Sequence, residues 1–251
     1  MKTVLIVGSG FIGLPLALSL QQHNYAVTLT TTQKTKLAEL HALGLNSVCF
    51  NADIVTDYDQ FNNLNFDYVI YTLPPSACKH SGYTQVLSTV LNKLSYVGCV
   101  VFTSSISVYL NNNTTHNEQS TALASADNVI ITTENYIRTT YANHYILRLA
   151  GLIGSTRSPK NFLKKGVVEN SNTPVNMVCG VDVVALITQG INSKLNYGTY
   201  NVCAPQHPTK ASYYSHYTPT LSCNQGNEGK EIDGNLIAHK LGYTYTSIWL
   251  D

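Results

Sequence analysis

Short apolar runs alternate with amphipathic ones along the first 150 residues, and the alternation predicts strands and helices in turn. Thr3–Val7 reads Thr-Val-Leu-Ile-Val and stops at a glycine, the pattern of a strand buried on both faces. A helix is predicted over residues 14–22, a β-branched strand over 27–31, a helix over 34–43 capped by Gly44, and a third strand over 47–50. Strands over 68–72, 99–103 and 145–149 and helices over 83–94 and 129–141 complete the series, with Pro74-Pro75 stopping the fourth strand. This β-α-β-α order predicts an α/β fold, a doubly wound, mostly parallel Rossmann-type sheet with right-handed crossovers. After about Gly151 the pattern loosens. The expected division is therefore a Rossmann domain over 1–150 and a small C-terminal lobe over 151–251 that also returns elements to the sheet.

The turn between the first strand and the first helix reads Gly8-Ser9-Gly10-Phe11-Ile12-Gly13. In this setting Gly8 allows a tight turn, Gly10 lets the backbone approach a pyrophosphate, and Gly13 lets helix and strand pack closely; the helix N-terminus adds N–H donors. A dinucleotide site is the reading favoured over a glycine-rich turn without a ligand. Phe11, Ile12, Leu73 and Pro74 are the apolar candidates beside the cofactor. An acid at the end of the second strand would hold the ribose 2′-hydroxyl of NAD, but the sequence there is Leu29-Thr30-Thr31-Thr32-Gln33-Lys34. Thr31, Thr32 and Lys34 suit a 2′-phosphate, so the expected cofactor is NADP, with NAD possible; an ordinary solvated lysine is the competing reading of Lys34. Asp53 follows the third strand and is a candidate for the adenine amine, or a solvated turn residue.

Composition narrows the classes. Hydrophobic residues make up 44% of 251 and charged residues only 12%, about half the roughly 25% usual share. A net charge of +1 offers no basic excess for a phosphate backbone, which argues against nucleic acid. The apolar run to Leu20 resembles a leader, but Gly8, Gly10, Gly13 and Pro15 break any membrane span, and the glycine spacing explains the run better. Six scattered cysteines form no CxxC pair; Cys99 and Cys203 sit in apolar strand patterns and read as buried reduced thiols. Eight histidines show no ligand spacing, so no metal is expected. The expected place is the cytoplasm and the expected partner a small polar or anionic molecule, with the oligomeric state open.

After the fifth strand comes Thr103-Ser104-Ser105-Ile106-Ser107-Val108-Tyr109, hydroxyls placed where open α/β sheets bind ligands. This segment resembles the Ser-Ser-x-x-Val-Tyr signature of the extended short-chain dehydrogenase/reductases, the NAD-dependent epimerase/dehydratase family. Tyr145-Ile146-Leu147-Arg148-Leu149-Ala150-Gly151 and Val181-Asp182-Val183 are similar to that family too. Gly151-Leu152-Ile153-Gly154-Ser155-Thr156-Arg157, Asn201-Val202-Cys203-Ala204-Pro205 and Gly229-Lys230-Glu231-Ile232-Asp233-Gly234 resemble its atypical YeeZ-like bacterial subgroup. The resemblance implies an NAD(P)-binding cytoplasmic protein with Ser105 at the catalytic Ser/Thr position.

Two departures matter. The glycine loop is one residue tighter than the family's usual spacing. The Tyr-x-x-x-Lys dyad, which supplies the family's proton relay, is missing: residues 124–134 contain neither Tyr nor Lys, with Ala126 and Ile130 at the dyad positions. Ser105, Tyr109 or a group of the substrate is expected to stand in for the dyad, with no Tyr/Lys relay; Tyr109 with Lys160, Lys164 or Lys165 at the nicotinamide ribose would overturn that expectation. Arg157, Asn176 and Lys230 are the candidates for a substrate's polar rim, and Arg148 reads as a buried ion-pair partner. The aromatic residues 213–217 read as packing. The leading expectation is an oxidoreductase or epimerase-like enzyme; a non-catalytic NADP(H) sensor or scaffold is the alternative, and a conventional sugar-nucleotide epimerase is disfavoured by the missing dyad.

Overall fold

The computed structural model describes every residue except 79, 122, 126, 164, 165, 194, 219 and 251. In chain order its elements are β1 (Thr3–Val7), α1 (Gly13–Gln22), β2 (Ala26–Thr31), α2 (Lys36–Ala42), β3 (Asn46–Cys49), β4 (Asn65–Tyr71), α3 (Tyr83–Lys93) and β5 (Tyr96–Ser105). There follow β6 (Thr115–His116), α4 (Val129–Thr140), β7 (His144–Leu149), β8 (Gly151–Ile153), β9 (Val167–Val168), β10 (Met177–Cys179), α5 (Gly180–Asn192), β11 (Gly198–Val202), α6 (Lys210–Tyr217), β12 (Ser222–Cys223), β13 (Glu231–Ile232) and α7 (Asn235–Leu241).

Seven strands form one sheet in the order β11-β7-β5-β4-β1-β2-β3. β1 pairs in parallel with β2 and β4, β2 with β3, and β4 with β5. The doubly wound, mostly parallel sheet predicted from the alternation is the fold of the protein. β5 is longer than its apolar run because Tyr96 and Val97 continue the ladder opposite Asn65 and Phe66; pairing extends a strand past the residues that announce it.

Two compact units divide the chain. The first comprises Met1–Ser104, Ser125–Leu147 and Lys194–Thr199. Its core is the continuous run Val4–Val7, with no residue exposed, packed with Leu16 and Leu20 of α1 and flanked by Ile70, Tyr71, Val100 and Phe102. Each such side chain stabilises the fold by roughly 1.5–3 kcal/mol relative to exposure. In α4, Glu134 is buried, and its carboxylate accepts from Ser104 Oγ (2.5 Å) and Arg138 Nη2 (2.6 Å). A buried carboxylate needs such partners.

The second unit comprises Ser105–Ala124, Arg148–Ser193 and Tyr200–Asp251. Short parallel pairs, β8 with β10, β9 with β12 and β6 with β13, tie its loops together. Its apolar core joins Ile153, Val175, Met177, Tyr213, Tyr217 and Ile248, so residues 213–217 pack as expected. Tyr213 and Tyr217 both donate to the Ile248 carbonyl. Asp182, fully buried in the first turn of α5, accepts from the Tyr243 hydroxyl and from the Thr246 N–H and Oγ1. Cys203 and, in the first unit, Cys99 are buried. Burial pushes the Cys99 thiol up to about 12, so neither titration nor thiolate chemistry is available to it near neutrality.

The glycine loop sets the geometry of β1 and α1. Gly8 has φ +110°, and a Cβ on Gly13 would stand 1.8 Å from the Gly8 carbonyl oxygen. A Cβ on Gly10 would meet nothing within 4 Å. Gly13→Ala is therefore expected to destabilise the fold by roughly 1–3 kcal/mol or more, and Gly10→Ala by less than about 0.5 kcal/mol. Urea unfolding of both variants checks the difference.

Candidate functional site

The end of β1, the end of β2 and the segment after β4 enclose a cleft of about 240 Å³ in the first unit. Its floor is backbone: Gly8, Ser9 and Gly10. The loop is held by two threonines of the cleft wall. Thr30 Oγ1 accepts the Gly8 N–H (2.9 Å), and Thr72 Oγ1 donates toward the carbonyls of Val7 and Gly8 (3.1 Å each). No side chain caps the N-terminus of α1, so its first turn keeps the donors that suit an anion. Thr31, Thr32, Gln33, Phe50, Leu73 and Pro74 form walls, and Lys36 is the charged side chain among the described lining residues. No acid stands on that wall.

The sequence expectations divide accordingly. Gly8, Gly10, Thr31, Thr32, Leu73 and Pro74 are brought together on the cleft. Lys34 is not: it is exposed, and Lys36 takes its place. The helix was expected to begin at residue 34, but α2 begins at Lys36. The chain turns once more before its side chains face the cleft. Asp53 is exposed and off the wall, its carboxylate accepting from Ser81 Oγ (2.9 Å). Phe11 and Ile12 also lie off the wall; Ile12 is buried as the residue before α1. Lys36 was missed because helix starts are read from sequence only to within a few residues.

A second, larger cavity of about 490 Å³ lies within the second unit. Ser105, Ser107, Asn176, Lys210, Tyr214 and Lys230 are on its wall. Strand alternation at the end of β5 separates two adjacent serines: Ser104 is buried against Glu134, and Ser105 lines the cavity. Ser105 Oγ accepts the Ser107 N–H (3.1 Å), capping a short turn.

Tyr109 is placed differently from the expectation. It is 2% exposed. Its hydroxyl accepts from Arg148 Nη1 (2.7 Å) and shares its proton between Asn201 Oδ1 (2.8 Å) and the Asn117 carbonyl (3.0 Å). Burial raises its pKa above 10, against the opposing effect of Arg148. A phenol so saturated has no proton to trade with a ligand, so Tyr109 is a structural node. Arg148, read as a buried ion-pair partner, is buried with its guanidinium on the Tyr109 hydroxyl and ring. The same node carries Lys230, whose ammonium donates to the Tyr109 carbonyl (2.6 Å).

Asn176 lines the cavity, but its amide is already committed: Nδ2 donates to the Lys230 carbonyl and Oδ1 accepts the Ile232 N–H, both at 2.9 Å. It positions Lys230. Arg157 is exposed and off the cavity wall, with Nε on the Leu152 carbonyl and its guanidinium over the Phe162 ring. The expected rim thus reduces to Lys230 and its clamp. At the dyad positions, Ile130 is buried; Ala126 lies outside the described residues, as do Lys164 and Lys165. Lys160 is exposed. Asn128 is spent on capping α4, accepting the Ile130 N–H (2.9 Å). Among the described residues no group of three or more His, Cys, Asp or Glu is arranged to hold a metal, and no helix is long and apolar enough to cross a membrane.

No family model matches the chain. Among curated proteins it is similar to protein YeeZ of Escherichia coli strain K12, 29% identical, with 98% of this chain and 96% of that protein covered. Among solved structures it superposes on the UDP-glucuronic acid 4-epimerase of Bacillus cereus in complex with NAD, at TM-score 0.72 and 15% identity, covering 98% and 92%. It also superposes on a human epimerase family protein with NADPH, at TM-score 0.69 and 14% identity, covering 97% and 95%. The chain shares its fold with these NAD- and NADPH-bound epimerase structures. The full-length likeness to YeeZ agrees with the subgroup that the sequence resembles.

If Tyr109 is a structural node, Tyr109→Phe leaves Arg148 and Asn201 short of a buried partner. The expected cost is roughly 1–3 kcal/mol of unfolding free energy, measured by urea denaturation.

Proposed function

We propose that the chain binds NADP(H) in the glycine cleft and works, in the cytoplasm, as an oxidoreductase or epimerase-like enzyme on a small polar substrate. The observation that carries this reading is the fit of the cleft to a dinucleotide. Gly10 leaves open space where a side chain would stand, Gly8 and Gly13 close the turn behind it, and Thr30 and Thr72, on the cleft wall, hold the loop. The neighbours in fold support it, since two were solved with NAD and with NADPH. Lys36, on a wall without an acid, favours the 2′-phosphate of NADP over the bare ribose of NAD.

The nicotinamide supplies or accepts a hydride when bound. Ser105 is the hydroxyl of this chain assigned to the substrate: it ends β5, its Oγ already faces an N–H donor that fixes its orientation, and it lines the cavity of the second unit. Tyr109 is excluded from that role by its burial. A positioned general acid or base contributes about 10²–10⁴-fold in rate, so turnover is expected to lie that far below an enzyme with the Tyr-x-x-x-Lys relay. Ile130, buried at the lysine position, also supports a second reading, a sensor or scaffold that binds NADP(H) without turning it over.

Titration of NADPH fluorescence tests the cofactor site. Gly10→Val, which meets no neighbour in the fold, should weaken binding about tenfold or more; unchanged affinity overturns the site. Lys36→Ala should weaken NADPH by about tenfold and leave NADH nearly unchanged. Equal losses, or tighter binding of NADH by the unaltered chain, reject the preference. NADPH consumption against a panel of carbonyl compounds separates enzyme from sensor. Ser105→Ala should then remove about nine-tenths or more of any turnover without changing NADPH affinity; full activity in that variant removes Ser105 from the chemistry.

A further inference from the structure

The cavity of the second unit carries two lysines that form no ion pair among the described residues. Lys210 opens α6 and Lys230 immediately precedes β13; both are half-buried and both line the cavity. Neither has a carboxylate within 4.0 Å among the described residues, although Glu228 lies on the same wall. Lys230 uses one of its three donors on the Tyr109 carbonyl. The Lys210 ammonium makes no hydrogen bond among the described residues. Withdrawing an ammonium from water without a compensating charge is costly, and burial lowers the pKa of both. A lysine serving only solubility has no need of that cost.

Their backbones also meet at one residue. Lys210 N–H donates to the Thr173 carbonyl (2.8 Å), and a Cβ on Gly229 would stand 2.5 Å from Thr173 Cβ. Thr173 is therefore the point on which the two lysine-bearing segments close. Asn113 holds Gly229 through its carbonyl and N–H (2.9 and 3.0 Å), and Asn176 clamps the chain at Lys230 and Ile232. Both lysine-bearing segments are therefore held in place.

We propose that this cavity binds a small molecule through an oxyanion, a phosphate or carboxylate, taken between Lys210 and Lys230. Ser105, Ser107, Asn111 and Asn170 on the same wall offer hydroxyls and amides to the polar body that carries the anion. The volume of about 490 Å³ is that of a compact ligand site. The proposal names the substrate class for the enzyme reading above and rests on it for the word substrate; the binding itself needs no dinucleotide.

Calorimetric titration of the full chain, without nucleotide and at constant ionic strength, tests it with inorganic phosphate in one arm and malonate in the other. Saturable one-site binding of either is expected, and the tighter arm identifies the oxyanion. Lys210→Gln should weaken it about tenfold or more, Lys210→Arg should restore most of the loss, and NADPH affinity should stay unchanged in both. Lys230→Gln should weaken the anion similarly; because Lys230 also braces the Tyr109 carbonyl, its melting temperature is measured alongside and Lys210 remains the deciding variant. Affinity should fall as pH rises through the lowered pKa values of the lysines, since only the ammonium attracts the anion. The other titratable groups facing them are Tyr214 and Glu228 on the wall and the neighbouring Glu231. Absence of saturable binding in both arms, or equal affinity in Lys210→Gln and the unaltered chain, overturns the proposal. Neither result touches the glycine cleft, whose failure would show only in the NADPH titration.

Discussion

The contact between Gly13 and the Gly8 carbonyl is the constraint on which the first unit turns. With 1.8 Å between that oxygen and the place a Cβ would occupy, only glycine lets α1 begin where it does. The helix then lies close on β1, and Leu16, Ala17 and Leu20 reach the fully buried Val4–Val7 run. The same close approach leaves Gly10 facing open space.

Low charge content shapes the rest. With only 12% charged residues, orientation is fixed mostly by neutral side chains on backbone groups. Thr30 holds Gly8, Tyr58 donates to the Ala52 carbonyl, Asn176 brackets Lys230 and Ile232, and Tyr213 and Tyr217 hold Ile248. Such bonds are individually modest, about 0.5–1.5 kcal/mol net, but expensive to leave unmade when buried. The few buried charges sit at nodes: Glu134 between Ser104 and Arg138, Asp182 under Tyr243 and Thr246, Arg148 on Tyr109. Against that economy, Lys210 and Lys230, half-buried and in no ion pair among the described residues, are the exceptions.

Tyr109 shows how a signature residue can keep its place and change its meaning. Strand and turn bring it to the end of the Ser-Ser-x-x-Val-Tyr segment, where a hydroxyl near Ser105 suggests chemistry. Arg148, Asn201 and the stacked His116 ring close around it instead. Its backbone carbonyl, which no sequence pattern singles out, is the part that reaches the cavity lysine.

The sequence by itself determined the sheet and the glycine cradle. Each of these is written in neighbouring residues: a run of apolar positions and a turn that tolerates no Cβ. The β-branched end of β2 likewise announced the threonines of the cleft. It did not determine that Lys36 rather than Lys34 would face them, because that depends on where α2 starts and how many residues the turn consumes. Nor did it determine that Asp53 would be drawn to Ser81, or that Arg157 would fold onto Leu152 and Phe162. Lys210 and Lys230 share a cavity because Thr173 gathers their segments, and Tyr109 is silenced by partners 39 and 92 residues away. Local sequence fixes backbone conformation over a turn or a strand; which side chains then meet is decided by packing between segments far apart in the chain, and only the tertiary structure settles it.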